Sequence, residues 1–188
     1  MENNDVNTAP QADSVCCWFA MRATYGRNIM AKNALSECGI NSFIPMHTSI
    51  VIRRGKRKKQ LIPVIKDLIF VHTSRPIIQS VKADIPYLHY ITRPLSGKNI
   101  PVIVPEYQMN SFIAVASTDV DNVLFHTDSE CNFVKGDRVR VVEGQFAGCE
   151  GLFVRVKGVR NRRLVVLLDD IIAVSVDVPS HFVELVNA

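Results

Sequence analysis

The stretch FVKGDRVRVVEGQFAGCEGLFVRVKG, Phe133 to Gly158, constrains the fold more than any other segment, because its glycines fall where strands must turn or touch. Gly136 allows a tight turn before a strand from Arg138 to Val142. Gly144, Gly148 and Gly151 permit positive φ and close approach of neighbouring strands. Val139, Val141, Leu152, Val154 and Val156 alternate with polar residues, as a half-buried sheet requires. The pattern continues through RLVVLLDDIIAVSVDVPSHFVELV, so residues 131–188 are expected to form a five-stranded barrel of roughly 55 to 60 residues.

The preceding residues have a different texture. CCWFAMR, Cys16 to Arg22, suits a buried strand and is followed by the breaker Gly26. From Arg27 to Cys38 the apolar positions Met30, Ala34 and Cys38, flanked by Ala31 and Leu35, recur at helical spacing, and Gly39 stands where a helix stops. Ile40 to Ile52 runs into RRGKRKK and resumes as QLIPVIKDLIFVH, which predicts a hairpin with a basic tip. Ser74 is placed to cap a short helix containing Pro76, Ile77, Ile78 and Val81, before a strand near Tyr87 to Ile91. Pro105 and Glu106 open another helix, with Met109, Phe112, Ile113 and Ala116 on one side. The division is a polar disordered tail over 1–14, an α+β domain over 15–116, an acidic, hydroxyl-rich linker over 117–130 and the barrel over 131–188. Val123, Leu124 and Phe125 form an apolar knot in that linker.

Composition narrows the function by exclusion. With 188 residues and 47% hydrophobic content the chain can bury a real core, and a net charge of +4 mildly favours nucleic acid or an acidic partner. No apolar run approaches the roughly 20 residues that cross a bilayer, and the opening lacks the pattern of a signal peptide, so a cytoplasmic protein without membrane contact is expected. Five cysteines, Cys16, Cys17, Cys38, Cys131 and Cys149, contain no C-x-x-C pair, which argues against a disulfide framework and a zinc site. The chain has no P-loop, dinucleotide fingerprint, metal-spaced histidines or nucleophile elbow; neither catalysis nor a cofactor is expected.

The glycine-patterned segment resembles a KOW motif, the strand-loop-strand signature of a small SH3-like barrel found in transcription and ribosomal proteins. WFAMRATYGRNIMAKNALSECGINSFIPM, Trp18 to Met46, resembles the first strand, helix and second strand of the NGN domain of NusG-like factors. PVIKDLIFV, Pro63 to Val71, occupies the place of their proline-leucine-phenylalanine-proline-glycine-tyrosine signature. There Ile65, Lys66, Asp67 and Leu68 replace the aromatic, proline, glycine and tyrosine. The departure makes the chain more similar to specialised RfaH-like and UpxY-like paralogues than to the general factor. Their histidine-threonine-threonine motif falls on Ile77, Ile78 and Gln79, which do not match it.

The resemblance implies an operon-selective antitermination and elongation factor that binds RNA polymerase as a monomer through its NGN domain and promotes processive transcription of capsular or surface polysaccharide operons. The positions that match the polymerase-binding patch are Ile65, Leu68, Phe70, Met109 and Phe112; core packing is the alternative, above all for Phe70. Ile65 and Leu68 flank charged Lys66 and Asp67, as in an exposed apolar bend. Arg53, Arg54, Lys56, Arg57, Lys58 and Lys59 are candidates for nucleic acid in the elongation complex, or equally a solvated hairpin tip. Phe146 is a candidate contact of the KOW barrel with a ribosomal protein or termination factor, or loop packing. Arg155, Lys157, Arg160, Arg162 and Arg163 form a second cationic group beside a hairpin. The competing reading is a ribosome-associated or general RNA-binding KOW protein.

Overall fold

The structure, a computed structural model, describes residues 15–53, 55–118, 123–127, 136–156, 158–168 and 171–186. The expected tail over 1–14 lies outside the described residues, as do Arg54, Cys131, Lys157 and the start of the KOW-like segment, Phe133. The N-terminal elements are β1 (Cys17–Ala23), α1 (Asn28–Glu37), β2 (Asn41–Phe43), β3 (Met46–Arg53), β4 (Lys56–Pro63), β5 (Leu68–Thr73) and α2 (Arg75–Asp84). They continue as β6 (Leu88–Tyr90), β7 (Thr92–Leu95), β8 (Lys98–Pro101), β9 (Ile103–Val104) and α3 (Glu106–Ala116). The C-terminal strands are β10 (Leu124–Thr127), β11 (Asp137–Val141), β12 (Glu150–Arg155), β13 (Arg162–Leu168), β14 (Ile172–Asp177) and β15 (Val183–Leu185). This is the expected α+β arrangement followed by an all-β unit.

The first sheet runs β2-β5-β1-β6, antiparallel throughout, with β9 sharing the outer edge of β1. Its two central strands read as continuous apolar runs because both faces are covered. Phe19, Met21 and Ala23 of β1 and Ile69 and Val71 of β5 pack with Ala31 and Leu35 of α1 and Ile78 of α2. The alternate residues Trp18, Ala20, Leu68 and Phe70 pack with Met109 and Phe112 of α3. The sheet is thus a filling between two helical layers. The β3–β4 and β7–β8 hairpins are separate two-stranded sheets.

The buried stripe of α1 is Asn28, Ala31 and Leu35: the two flanking apolar positions are buried, in place of Met30, Ala34 and Cys38. Met30 is 57% exposed, and Cys38 lies beyond the last helical residue, before Gly39 at φ 69°. A polar residue hides the true stripe from a hydrophobic pattern. Asn28 is buried because its Nδ2 donates to the Leu68 carbonyl at 3.3 Å, replacing the water it loses.

The barrel sheet has six strands, β10-β14-β13-β12-β11-β15, where five were expected. The extra strand comes from the apolar knot of the linker. Leu124 to Thr127 pair with Ser175 to Ile172 and occupy an edge of β14 that would otherwise present unpaired backbone groups. His126 Nε2 meets Ser175 Oγ at 2.8 Å. Gly144 and Gly148 have the expected positive φ, 82° and 89°. Gly151 serves close approach instead, since a Cβ there would stand 2.4 Å from the Val165 carbonyl oxygen.

Candidate functional site

Helix α3 carries two buried stripes, and the second defines the site. Met109 and Phe112 face the sheet, where the Phe112 ring lies 6.2 Å from Phe70 and edge-on to Phe43 at 6.3 Å. Ser111 and Val115, one helical turn apart, form the other stripe and are also buried. What covers it is the barrel, because α3 packs against β12, β13 and β14. The backbone N–H of Glu150 donates to Ser111 Oγ at 3.0 Å. The Arg138 guanidinium lies over the Tyr107 ring, 5.6 Å from its centre. One hydrophobic cluster consequently extends from Trp18 and Phe70 through Phe112 into Val166 and Val174 of the barrel.

Glu150 is held firmly on the barrel side of this contact. Its Oε1 accepts from Nε of Arg140 at 2.9 Å and from a terminal nitrogen of the same guanidinium at 2.5 Å. Arg138 stands 3.5 Å from the other carboxylate oxygen. These charge-assisted contacts, two from Arg140 to one oxygen and Arg138 beside the other, fix the strand that delivers the N–H to Ser111. None of Tyr107, Ser111, Arg138 and Glu150 stands out in the sequence. The available signal is Ser111 itself, a small polar residue inside an apolar helix stripe.

The five expected polymerase-binding positions come together on one side of the first sheet, but not as a free surface. Leu68, Phe70, Met109 and Phe112 are at most 2% exposed, so the expectation of Leu68 in an open apolar bend is corrected. The reason is register: Leu68 pairs with Arg22 in the sheet interior and is the first residue of β5, not the last of a loop. Ile65 alone is half-buried and packs at the border of the cluster. The bend that carries it is pinned by Asp67, whose Oδ1 accepts the Gly26 N–H at 2.7 Å.

The hairpin cations do not form one patch. Antiparallel pairing sets Arg53 opposite Lys56, Val51 opposite Lys58, Ile52 opposite Arg57 and Ile50 opposite Lys59. Because side chains alternate, Arg53, Lys56 and Lys58 share one face, and Arg57 and Lys59 share the other with Ile50 and Ile52. All five cations are exposed. Arg54 lies outside the described residues.

Phe146 is 5% exposed and belongs to the buried cluster, so its ring fills the loop rather than offering itself to a partner. The second cationic group is dispersed too. Arg162 pairs with Asp137 at 3.2 Å, and Arg163 is buried, donating to the hydroxyl and the carbonyl of Ser175 at 3.1 and 3.0 Å. Desolvation lowers the pKa of the Arg163 guanidinium, and Asp177 partly opposes that shift. Among the described residues no cluster of His, Cys, Asp and Glu could hold a metal ion, and no helix is long and apolar enough to cross a membrane.

No curated protein sequence matches this chain. Among solved structures it is similar to one described as "Domain interaction in Thermotoga maritima NusG", at 16% identity and a TM-score of 0.42, over 92% of this chain and 98% of that one. Residues 16–113, just over half of the chain, match the family described as NusG, transcription termination factor nusG. With a two-layered helical platform and a C-terminal β unit in place, the chain belongs to the NusG family of transcription factors.

Proposed function

We propose that this chain is an operon-selective elongation and antitermination factor of the RfaH-like and UpxY-like kind, which binds RNA polymerase through its N-terminal domain. The seat is the outer stripe of α3, bordered by Ile65 and backed by Leu68, Phe70, Met109 and Phe112. The observation that carries this reading is that the stripe is already a protein-docking surface: the barrel covers it, anchored at Ser111 and Glu150. A helix face built for burial, whose cover is a β unit with its own sheet, is a face that can exchange partners. The barrel therefore has to leave before polymerase docks.

The tether limits how far it goes. With β10 in the barrel sheet, only residues 117–123 join it to α3, a span of at most about 25 Å when fully extended. The freed barrel stays beside the polymerase-bound domain, where it is available to a ribosomal protein or termination factor. The paralogue assignment rests on Lys66, Asp67 and Leu68, which depart from the general factor's signature and serve this chain's own β1–α1 turn and β5. Capsular or surface polysaccharide operons are the targets this resemblance names, and the cytoplasm is where transcription takes place.

The general RNA-binding reading finds less support, because the barrel's arginines are largely engaged with Glu150, Asp137 and Ser175. Affinity purification with nuclease treatment tests the choice. Polymerase retained after nuclease supports the proposal; partners released by nuclease support RNA binding.

A further inference from the structure

A cavity of about 320 Å³ lies where the start of α3 meets β11, β12 and β13. Tyr107 and Gln108 enter it from the helix, one turn before Ser111. The barrel supplies the other walls. Register places Arg138 opposite Leu152, and Leu152 opposite Val165. Because side chains alternate along each strand, Glu150 and Leu167 fall on that same face, and all of these residues line the cavity from one side of the sheet. That side has an apolar cluster of its own, formed by Val165 with Leu152 and Leu167, while Leu164 and Val166 on the opposite face belong to the large cluster. Val165 is fully buried, Leu152 and Leu167 are half-buried, and Tyr107 and Arg138 are exposed. An apolar floor is thus reached past a polar rim.

The rim has donors to spare. Glu150 Oε1 is held by two nitrogens of Arg140, whereas Arg138 stands 3.5 Å from Oε2, beyond the length of an ordinary N–H···O bond. Arg138 makes no closer contact with a carboxylate among the described residues. Two guanidinium groups against one carboxylate leave the rim with a net positive charge. The Tyr107 hydroxyl accepts from Gln108 Nε2 at 3.3 Å, which leaves its own proton to donate.

We propose that this cavity binds a small arylcarboxylate, with its ring against Leu152, Val165 and Leu167 and its carboxylate on Arg138 and the Tyr107 hydroxyl. A guanidinium and a hydroxyl above an apolar floor match an anion that carries a hydrophobic body. The volume sets the size: at the roughly 30 Å³ that a liquid water occupies, the space holds a molecule of about ten non-hydrogen atoms. A nucleotide is too large for it, and inorganic phosphate would leave the floor unfilled. Because the walls come from both α3 and the barrel, the occupant binds only the docked arrangement and holds it together. Its role as an effector that keeps the factor closed rests on the reading of α3 as the polymerase seat.

The test is an NMR titration of the 188-residue chain with phenylacetate, a molecule of the size derived above. Saturable shifts at the amides of Tyr107, Gln108 and Leu152 are expected, with a dissociation constant of about 5 mM or tighter, the affinity usual for so few atoms. Phenylacetamide keeps the shape and loses the charge; acetate keeps the charge and loses the ring. Each is expected to bind at least about 10-fold more weakly. Arg138→Gln is expected to weaken phenylacetate binding about 10- to 100-fold, and Tyr107→Phe about 2- to 10-fold. Tyr107→Phe retains the ring beneath Arg138, so it reads the site even where Arg138→Gln undocks the barrel. No saturable binding, shifts confined to other residues, equal binding of acetate or phenylacetamide, or unchanged affinity in both variants would overturn the proposal. Saturating phenylacetate is also expected to weaken capture of core RNA polymerase. Capture that is unchanged while phenylacetate occupies the cavity would contradict the seat on α3, and with it the effector role, and leave the binding site standing.

Discussion

Ser111 on α3 accepts a hydrogen bond from the backbone N–H of Glu150 on β12, at 3.0 Å, and this polar contact stands where the barrel meets the helix. Ser111 is buried, so the bond is shielded from water for as long as the two units stay docked. Once they part, water satisfies both groups. The contact thus stabilises the docked arrangement by about 1 kcal/mol and sets a register for it, without making it permanent. The bond ties the barrel to the helix that lies over Phe70.

Ile65 and Leu68 are three residues apart and respond oppositely to charge. Ile65→Glu places a carboxylate at the rim of the cluster and is expected to keep the melting temperature within a few degrees while abolishing polymerase capture. Leu68→Glu buries a charge between sheet and helix and is expected to cost about 3–5 kcal/mol, enough to unfold the domain in a circular dichroism melt.

The Tyr90 hydroxyl is buried without a hydrogen-bond partner among the described residues. Burial pushes its pKa above the ordinary tyrosine value, with Arg75 opposing the shift and Cys17 adding to it. The folded chain therefore holds this proton more tightly than the unfolded one. Its contribution to stability is intact below about pH 10 and is lost as the pH rises beyond that. Tyr90→Phe is expected to flatten the alkaline decline in denaturant midpoint and to raise stability at neutral pH by about 1 kcal/mol.

Gly151→Ala is expected to destabilise the barrel by about 2 kcal/mol or more, because the new methyl meets the Val165 carbonyl and prises β12 from β13. A lower thermal midpoint for the barrel measures it. An unchanged midpoint would mean that the strands have room to part.

The two faces of the β3–β4 hairpin separate by charge reversal. Lys56→Glu with Lys58→Glu alters the face they share with Arg53, and is expected to lower the salt slope of duplex DNA binding by about 2. Arg57→Glu with Lys59→Glu alters the face shared with Ile50 and Ile52 and is expected to change the slope less. Equal effects would mean that the tip acts as a diffuse charge.

The glycine pattern of the barrel, the strand identity of CCWFAMR and the helices after Gly26 and Pro105 were legible in the sequence because each rests on local periodicity or local turn chemistry. The stripe of α1 is legible only in part, at Ala31 and Leu35, because its third residue is polar and Asn28 is buried through a carbonyl 40 positions away. β10 has no signature within the linker sequence, since a four-residue strand has too short a pattern to declare itself, and it is fixed by β14. Docking is tertiary in the same sense. Phe70, Met109 and Phe112 are apolar whichever layer covers them, and their spacing does not separate core from seat. Ser111 and Glu150 acquire meaning only when the barrel is placed on the helix.

The affinity of the purified 188-residue chain for core RNA polymerase, wild type against Ser111→Ala, decides whether the barrel covers the polymerase seat. Removing the acceptor leaves the Glu150 N–H unpaired only in the docked state, which shifts the chain toward the open one. A tighter complex for Ser111→Ala, by about 5- to 30-fold, is the predicted result. Equal affinities, or no binding by either protein, would contradict a polymerase seat on α3 that the barrel covers.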